Sequence, residues 1–99
     1  MVVGVLRLDL VLYSPGSLKE KRGIVRSILG RCRSRFPVSC AETGLQDLWQ
    51  RAELGFSMVG LEEAAISRVF DQIEEEIGRS GAAEIGERQA EIIHYSADE

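Results

Sequence analysis

Strict alternation at the start of the chain is the feature that most restricts its fold. Over residues 2–13, the even positions 6, 8, 10 and 12 are all leucine, whereas Arg7 and Asp9 occupy odd positions. Successive side chains of a β-strand point to opposite faces of a sheet, so this pattern predicts a strand with one face in the core. The segment lacks a basic leading region and a small-residue cleavage site, which argues against a signal peptide.

A helix is predicted directly after this strand. The Ser-Pro-Gly sequence at positions 14–16 favours a turn, and Ser17 with Glu20 forms an S-x-x-E capping box, which places the helix start near Leu18. Pro37 is expected to end the helix. At about 100° per residue, one arc of the helix collects its apolar side chains, which predicts the core-facing side. The residues on this arc are Leu18, Val25, Ile28, Leu29, Cys32 and Phe36.

Periodicity divides the rest of the chain into four further segments. Residues 38–43 are rich in β-formers, and the alternation over 51–58 predicts a third strand that pairs with them as a hairpin. Apolar residues at helical spacing predict a second helix over 61–77, with Gly78 placed to end it. Residues 83–95 are ambiguous, because their alanines and glutamates favour helix whereas a glycine and the IIHY ending favour strand.

The order of these elements predicts an α+β fold. A chain of 99 residues is expected to form one domain, residues 1–95, with a frayed tail at 96–99. The order βαββα plus a further strand is typical of the ferredoxin-like βαββαβ sandwich, a four-stranded antiparallel sheet with two helices on one face. Its first and third strands are central, so Arg7, Asp9, Arg51 and Glu53 should lie together on the open face, where opposite charges pair across strands.

The net charge of −4 hides a strong asymmetry along the chain. Residues 1–35 carry eight of the twelve Lys and Arg and two of the sixteen Asp and Glu, a net charge of +6. Residues 36–99 carry four and fourteen, a net charge of −10. The overall sign argues against a protein that coats nucleic acid by bulk charge, whereas the asymmetry bears on partners and electrostatic steering.

The first helix carries the strongest binding signal, and we call its four neighbouring cations the basic flank. They are Lys19, Arg22, Arg26 and Arg33, which lie within about 60° of one another on the helical wheel. Beside them lies a small strip made of Gly23, Ser27, Gly30 and Ser34, over which a phosphate backbone or another helix could approach closely. The pair of strips predicts mostly sequence-independent, salt-sensitive binding to RNA phosphates. Equally compatible is a solvated face whose cations pair with the second helix or with a partner subunit.

Trp49 is the only tryptophan and falls in the predicted loop before the third strand. Next to Arg51, it could stack on a base or anchor a protein partner, so both residues are binding candidates. Capping the edge of the core is the commoner role for such a residue, and it is the interpretation we favour. We expect Glu42 and Asp47 to pair with Lys21, Arg22 or Arg51, which would hold this loop in place.

No residue pattern in the chain indicates an enzyme. The two cysteines have neither metal-binding spacing nor a disulfide framework, which favours a reduced, cytoplasmic protein. Cys32 is predicted to be a small buried hydrophobe and His94 an exposed residue at a strand end. Without a nucleophile–base pair, metal site or phosphate loop, we expect a non-enzymatic protein with no cofactor, no metal and no small-molecule substrate. No apolar run approaches the roughly 20 residues that cross a bilayer, so no membrane partner is expected.

Two well-known uses of the ferredoxin-like fold fit the residues poorly. An RNA-recognition motif stacks bases on aromatic side chains of its central strands, where this chain has Arg7, Asp9, Arg51 and Glu53. Acylphosphatase chemistry uses an asparagine to position water, and the chain contains no asparagine. Both activities are therefore disfavoured.

Two motifs resemble the signatures of one family. SLKEKR at residues 17–22 and DLWQRAELG at 47–55 are similar, in order and spacing, to the YlxP-like family of small bacterial proteins of unknown function. The resemblance implies a ferredoxin-like fold, and hence a fourth strand over 83–95, and it implies no catalytic residues. Genes of that family commonly lie among those for transcription termination, translation initiation and ribosome maturation, which implies a link to RNA or the ribosome by association. The alternative is a homo-oligomeric or adaptor protein without nucleic-acid binding, whose open sheet face or third-strand region packs on a second copy.

Overall fold

Two helices and four strands follow one another in the predicted order. The computed structural model describes residues 1–96, so the predicted frayed tail lies outside the described residues except for Ser96. The elements are β1 (Val2–Leu12), α1 (Leu18–Arg35), β2 (Ser39–Gly44), β3 (Arg51–Gly60), α2 (Glu63–Arg79) and β4 (Ala83–His94). None of the helices in this part of the chain is long and apolar enough to cross a membrane.

The four strands form one antiparallel sheet in the order β2-β3-β1-β4. β1 and β3 are therefore the central strands, and both helices cover the same face of the sheet. This arrangement confirms the predicted ferredoxin-like βαββαβ sandwich. The uncovered side, which we call the open face, carries the odd-numbered residues of β1 and the residues directly opposite them on β3 and β4.

The core lies between the sheet and the helices, as the alternation in β1 predicts. Leu6, Leu8 and Leu10 have no exposed surface, and each stabilises the fold by roughly 1.5–3 kcal/mol through its burial. β3 contributes Leu54 and Phe56 from the opposite register positions. α1 supplies Val25, Ile28, Leu29 and Cys32, and α2 supplies Ile66, Phe70, Ile73 and Ile77.

The start of α1 is capped by Ser17, as predicted. One of the two hydrogen bonds of the predicted capping box has a different donor. The Ser17 hydroxyl accepts a hydrogen bond from the backbone N–H of Glu20 at 3.2 Å. The carboxylate of Glu20 accepts from the backbone N–H of Gly16 and not from that of Ser17. This bond ties the turn that follows β1 to the first turn of the helix.

The predicted ends of α2 are displaced by two residues. The helix begins at Glu63 and continues through Gly78 to Arg79, so the predicted stop at Gly78 is wrong. Its end is made instead by Ser80, whose hydroxyl donates to the carbonyl of Ile77 at 2.6 Å, and by Gly81, whose φ is +73°. Glycine adopts this left-handed conformation at no steric cost.

The ambiguous segment at the end of the chain is a strand, as the family resemblance implies. Asp9 pairs with Glu87 and Leu10 with Ile85, so Gly86 is the extra residue of a β-bulge in β4. The bulge keeps both Ile85 and Arg88 on the helix-covered side of the sheet. Arg88 forms ion pairs there with Asp71 and Glu74 of α2, which close that edge of the sandwich.

Candidate nucleic-acid interface

The basic flank is exposed along the first two turns of α1 and beyond. Lys19, Arg22 and Arg26 are all exposed, and within residues 1–96 none of them has an ion pair or a side-chain hydrogen bond. The interpretation in which α2 neutralises these cations is therefore wrong for these three residues. The part of α1 that the sequence marks as basic remains positively charged on the folded surface.

The last cations of α1 are engaged with the rest of the domain. Arg33 donates from Nη2 to the carbonyl oxygen of Cys40 at 2.6 Å, which directs its side chain toward β2. Arg35, which is not part of the basic flank, forms an ion pair of 2.8 Å with Glu76 of α2. Arg33 is thus the one flank residue whose guanidinium already has an acceptor in the described chain.

The small strip is solvent-exposed, and its glycines leave open space. A Cβ atom at Gly23 or Gly30 would have no neighbouring atom within 4 Å. Gly23 and Ser27 border an open groove of about 490 Å³ along α1. The groove is lined by Ser14, Pro15, Glu20, Gly23, Ile24, Ser27, Ile28, Arg31 and Ala82. Arg31, which no sequence criterion singled out, adds an exposed cation on the far side of the strip.

A buried lysine fixes the loop that carries Trp49. Only 1% of Lys21 is exposed, and its Nζ donates to the carbonyl oxygens of Leu45 at 2.6 Å and Gln46 at 3.4 Å. The predicted pairing with Glu42 is confirmed: Oε2 of Glu42 lies 2.9 Å from Nζ, outside hydrogen-bonding geometry, so the attraction is electrostatic. No sequence prediction placed Lys21 in the core, although its position on the apolar arc of α1 beside Cys32 is a signal for burial.

Trp49 lies on the surface of that loop. The residue is 42% exposed and does not join the core cluster, so the favoured interpretation that it caps the edge of the core is wrong. Its neighbour Leu48 is 48% exposed, and the two border a shallow hollow of about 250 Å³. Because Lys21 bonds the start of the loop to the first turn of α1, Trp49 lies at the same end of the molecule as Lys19 and Arg22.

Arg51 lies on a different surface from the basic flank. It is directly opposite Val11 in the register of β1 and β3, which places it on the open face, on the other side of the sheet from α1. Arg51 therefore lies apart from the cations of the helix, although it lines the same shallow hollow as Trp49.

The predicted pairing of charges on the open face is centred on Arg7. Its guanidinium lies 2.7 Å from Asp9, 3.6 Å from Glu53 and 2.6 Å from Glu87. The pKa of Arg7 is raised above its ordinary value, and the main cause is the hydrogen bond that its guanidinium donates to Glu87. Asp9 and Glu53 face each other directly in the register, so Arg7 separates two like charges.

The cysteines are inert in this arrangement. Cys32 has no exposed surface, and burial raises the pKa of its thiol to about 11. Burial also raises the pKa of Cys40. A thiolate is the nucleophilic and metal-binding form of cysteine, so both residues behave as small hydrophobes at neutral pH, as predicted for Cys32.

His94 and the acidic residues form no metal-binding group. His94 is exposed at the end of β4, as predicted, and contacts the carboxylate of Glu63. Within residues 1–96, no three His, Cys, Asp or Glu side chains lie together in a way that could hold a metal ion.

The fold and the sequence together define the family. A single antiparallel sheet in the order β2-β3-β1-β4 with two helices on one face is the ferredoxin-like class. The chain belongs to the family described as Protein of unknown function (DUF503), whose model matches residues 3–90. It is 38% identical over 78 residues to the uncharacterized protein YlxP of Bacillus subtilis (strain 168), a match that covers 79% of this chain and 77% of that protein. The resemblance carried by the two motifs is thereby confirmed.

Solved structures of similar shape support the fold alone. Protein YJCS superposes with a TM-score of 0.62 at 11% identity, covering 93% of this chain and 99% of that one. The de novo designed protein LFR1 1 with ferredoxin fold gives a TM-score of 0.61 at 14% identity, covering 100% of this chain and 91% of the design. A designed protein has this fold without a natural function, so the likeness carries no activity to this chain.

Proposed function

We propose that this chain is a non-enzymatic, cytoplasmic binding module that associates with RNA, either alone or within a ribosomal particle, through the basic flank of α1. One observation carries the proposal: Lys19, Arg22 and Arg26 are exposed cations without an ion pair in the described chain, although the protein as a whole is acidic. Exposed and unpaired cations on a helix are suited to a phosphate backbone.

The geometry of the flank sets the expected strength of binding. From Lys19 to Arg26 the helix rises by about 10 Å, so the three cations can follow a short stretch of backbone. Three phosphate contacts correspond to a slope of roughly −2 in a plot of log K against log salt concentration for a single strand. The proposed binding is therefore weak and salt-sensitive, and it depends little on base sequence.

The small strip and Trp49 add two further contacts in this proposal. The open space over Gly23 and Gly30 allows a nucleic-acid backbone to lie against the helix without displacing side chains. Trp49, held by its loop at the same end of the molecule, is available to stack on a base, which is worth roughly 1–3 kcal/mol per base. Neither contact requires sequence recognition.

Charge reversal on α1 with a matched control on α2 tests the proposal. The test variant is R22E/R26E, and the control is R68E/R79E, which makes the same charge change at two exposed arginines of α2 that lack ion pairs in the described chain. The readouts are fluorescence anisotropy with a labelled single-stranded RNA 20-mer and co-sedimentation with purified ribosomes at low salt. We expect R22E/R26E to weaken binding at least about tenfold, by loss of two phosphate contacts and added repulsion.

The same experiment has clear contrary results. If R68E/R79E weakens binding as much as R22E/R26E, only net charge is being measured and the basic flank is not the interface. If neither variant changes RNA binding or ribosome co-sedimentation, the RNA proposal is wrong. The alternative is then a homo-oligomeric or adaptor module, which the exposed apolar residues of the open face favour, and an apolar interface would persist at high salt.

A further inference from the structure

The open face of the sheet has an exposed apolar end. Val59 is 62% exposed, and Val5 and Ile93 are each 42% exposed. In the register, Val3 lies directly between Val59 on β3 and Ile93 on β4, so these four side chains are contiguous across three strands. We call this group the apolar end. Contiguous exposed apolar residues bordered by charges are typical of a surface that binds another protein.

The remainder of the open face has a surplus of acidic residues. Its carboxylates are Asp9, Glu53, Glu84, Glu87 and Glu91, and its cations are Arg7 and Arg51, which leaves a net charge of −3. Asp9, Glu53 and Glu87 are occupied by Arg7. Glu84 and Glu91 have no ion pair among the described residues, and Glu91 is directly opposite Val5 of the apolar end. An apolar group and an unpaired carboxylate are therefore neighbours.

A shallow trough runs along β3 on the open face. Gly55 and Ser57 have little or no side chain, and they form its floor between Val5 on one side and Thr43 on the other. The hollow has a volume of about 280 Å³ and is bordered by Val5 of the apolar end. It offers space for side chains of a partner that lies across the sheet.

The edges of the sheet are poor sites for adding a strand. β2 is only six residues long. β4 contains the Gly86 bulge, and its Arg88 points inward and is held by Asp71 and Glu74. Bulges and inward-pointing charges are devices that block edge-to-edge pairing. A partner would therefore cover the open face and leave the edges unpaired.

We propose that the open face binds a cationic amphipathic helix of another protein. Apolar side chains of that helix would pack on the apolar end and in the trough, and its Lys or Arg side chains would reach Glu91 and Glu84. A second copy of this chain fits less well, because packing two open faces together would oppose two surfaces of net charge −3. The open face and the basic flank of α1 lie on opposite sides of the sheet, so this inference is independent of RNA binding.

A synthetic peptide tests the proposal directly. The probe is a fluorescein-labelled 18-residue amphipathic helix of Leu and Lys, with a peptide of the same composition but scrambled pattern as its control. The protein variants are E91K and V59K/E91K on the open face, and E75K as a matched control at an exposed glutamate of α2 on the opposite side of the domain. In fluorescence anisotropy, we expect the wild type to bind the amphipathic peptide more tightly than the scrambled one. E91K should weaken this binding roughly fivefold, V59K/E91K more than tenfold, and E75K less than twofold.

Three results would overturn the proposal. If E75K and E91K weaken binding equally, the affinity of the peptide depends only on the net charge of the protein. If the scrambled peptide binds as tightly as the amphipathic one, the apolar end does not contribute to binding. A wild-type dimer in sedimentation equilibrium that V59K converts to a monomer would mean that a second copy occupies the face. Thermal melting by circular dichroism checks the fold of each variant, and I93T/E91K replaces V59K/E91K if the latter melts early.

Discussion

The ammonium group of Lys21 donates a hydrogen bond of 2.6 Å to the carbonyl oxygen of Leu45, and this bond joins the first helix to the loop before β3. Lys21 belongs to the motif at residues 17–22, and Leu45 lies just before the motif at 47–55. The first motif therefore contacts the two residues that immediately precede the second. Leu45 has a φ of +57°, a left-handed conformation that costs a non-glycine residue roughly 1–2 kcal/mol, so the loop needs such an anchor.

Replacing this lysine should destabilise the domain strongly. Lys21→Met keeps the apolar stem but leaves the carboxylate of Glu42 and the carbonyl of Leu45 without their partner. Removing one member of a buried ion pair costs about 3 kcal/mol, and that is the expected decrease in the free energy of unfolding. Urea denaturation followed by circular dichroism measures it.

Lys19→Met is the matched control, because Lys19 is an exposed residue of the same helix without an ion pair in the described chain. Its free energy of unfolding should change by less than about 0.5 kcal/mol. If Lys21→Met is as stable as Lys19→Met, the buried pair does not hold the loop. The double variant Lys21→Met with Glu42→Leu should recover part of the loss, since it removes both charges.

The glycines of the small strip should be replaceable with a gain in stability. Gly23→Ala and Gly30→Ala each add a methyl group into open space, in the interior of a helix where glycine costs roughly 1 kcal/mol relative to alanine. The free energy of unfolding of the double variant, measured by urea denaturation, should therefore be about 1.5–2 kcal/mol higher than that of the wild type. If these glycines allow close approach of RNA, the same variant should bind RNA more weakly although it is more stable.

Gly4→Ala is the contrasting control. A Cβ atom there would lie 2.9 Å from the ring of Phe70, so α2 would have to move away from β1. We expect this variant to lose stability, as overpacked cores typically do by 1–3 kcal/mol. Stabilisation by Gly4→Ala, or destabilisation by the two helix substitutions, would contradict the packing described for these positions.

Local patterns were sufficient to predict the elements whose signal lies within a few residues. The alternation of leucines located β1, and Ser17 with Glu20 located the start of α1. Exposure of Trp49 depends on the position of its whole loop, which a long-range bond from Lys21 determines, so sequence could not decide between core edge and surface. The sequence could not show whether the cations of the basic flank form ion pairs, for the same reason. Whether α2 comes near Arg22 depends on the tertiary arrangement of the two helices.

The arginine at the centre of the open face should make stability depend on salt concentration. Arg7→Met would leave Asp9 opposite Glu53 without the guanidinium that separates them, and the variant should melt at a lower temperature at low salt. Dissolved ions screen the repulsion between these two partly exposed carboxylates, so the difference in melting temperature from wild type should shrink as salt is raised. Arg51→Met, on the same face but without an ion pair in residues 1–96, should show no such dependence. A difference that stays constant from low to high salt would contradict the network.

Alkaline pH should destabilise the domain through the buried thiol of Cys32. Burial raises the pKa of this thiol to about 11, whereas an unfolded cysteine has a pKa of about 8.5. The unfolded state therefore loses its proton first, and the stability associated with the neutral thiol is present in full below about pH 8.5 and lost as the pH rises toward 11. Cys32→Ala should be about 1 kcal/mol less stable than wild type at pH 7, and this difference should shrink between pH 8.5 and pH 10 in urea denaturation. Titration of the groups that both proteins share affects their free energies of unfolding equally and cancels in the comparison. If the difference between wild type and Cys32→Ala does not change with pH, Cys32 has the same pKa in the folded and unfolded chains.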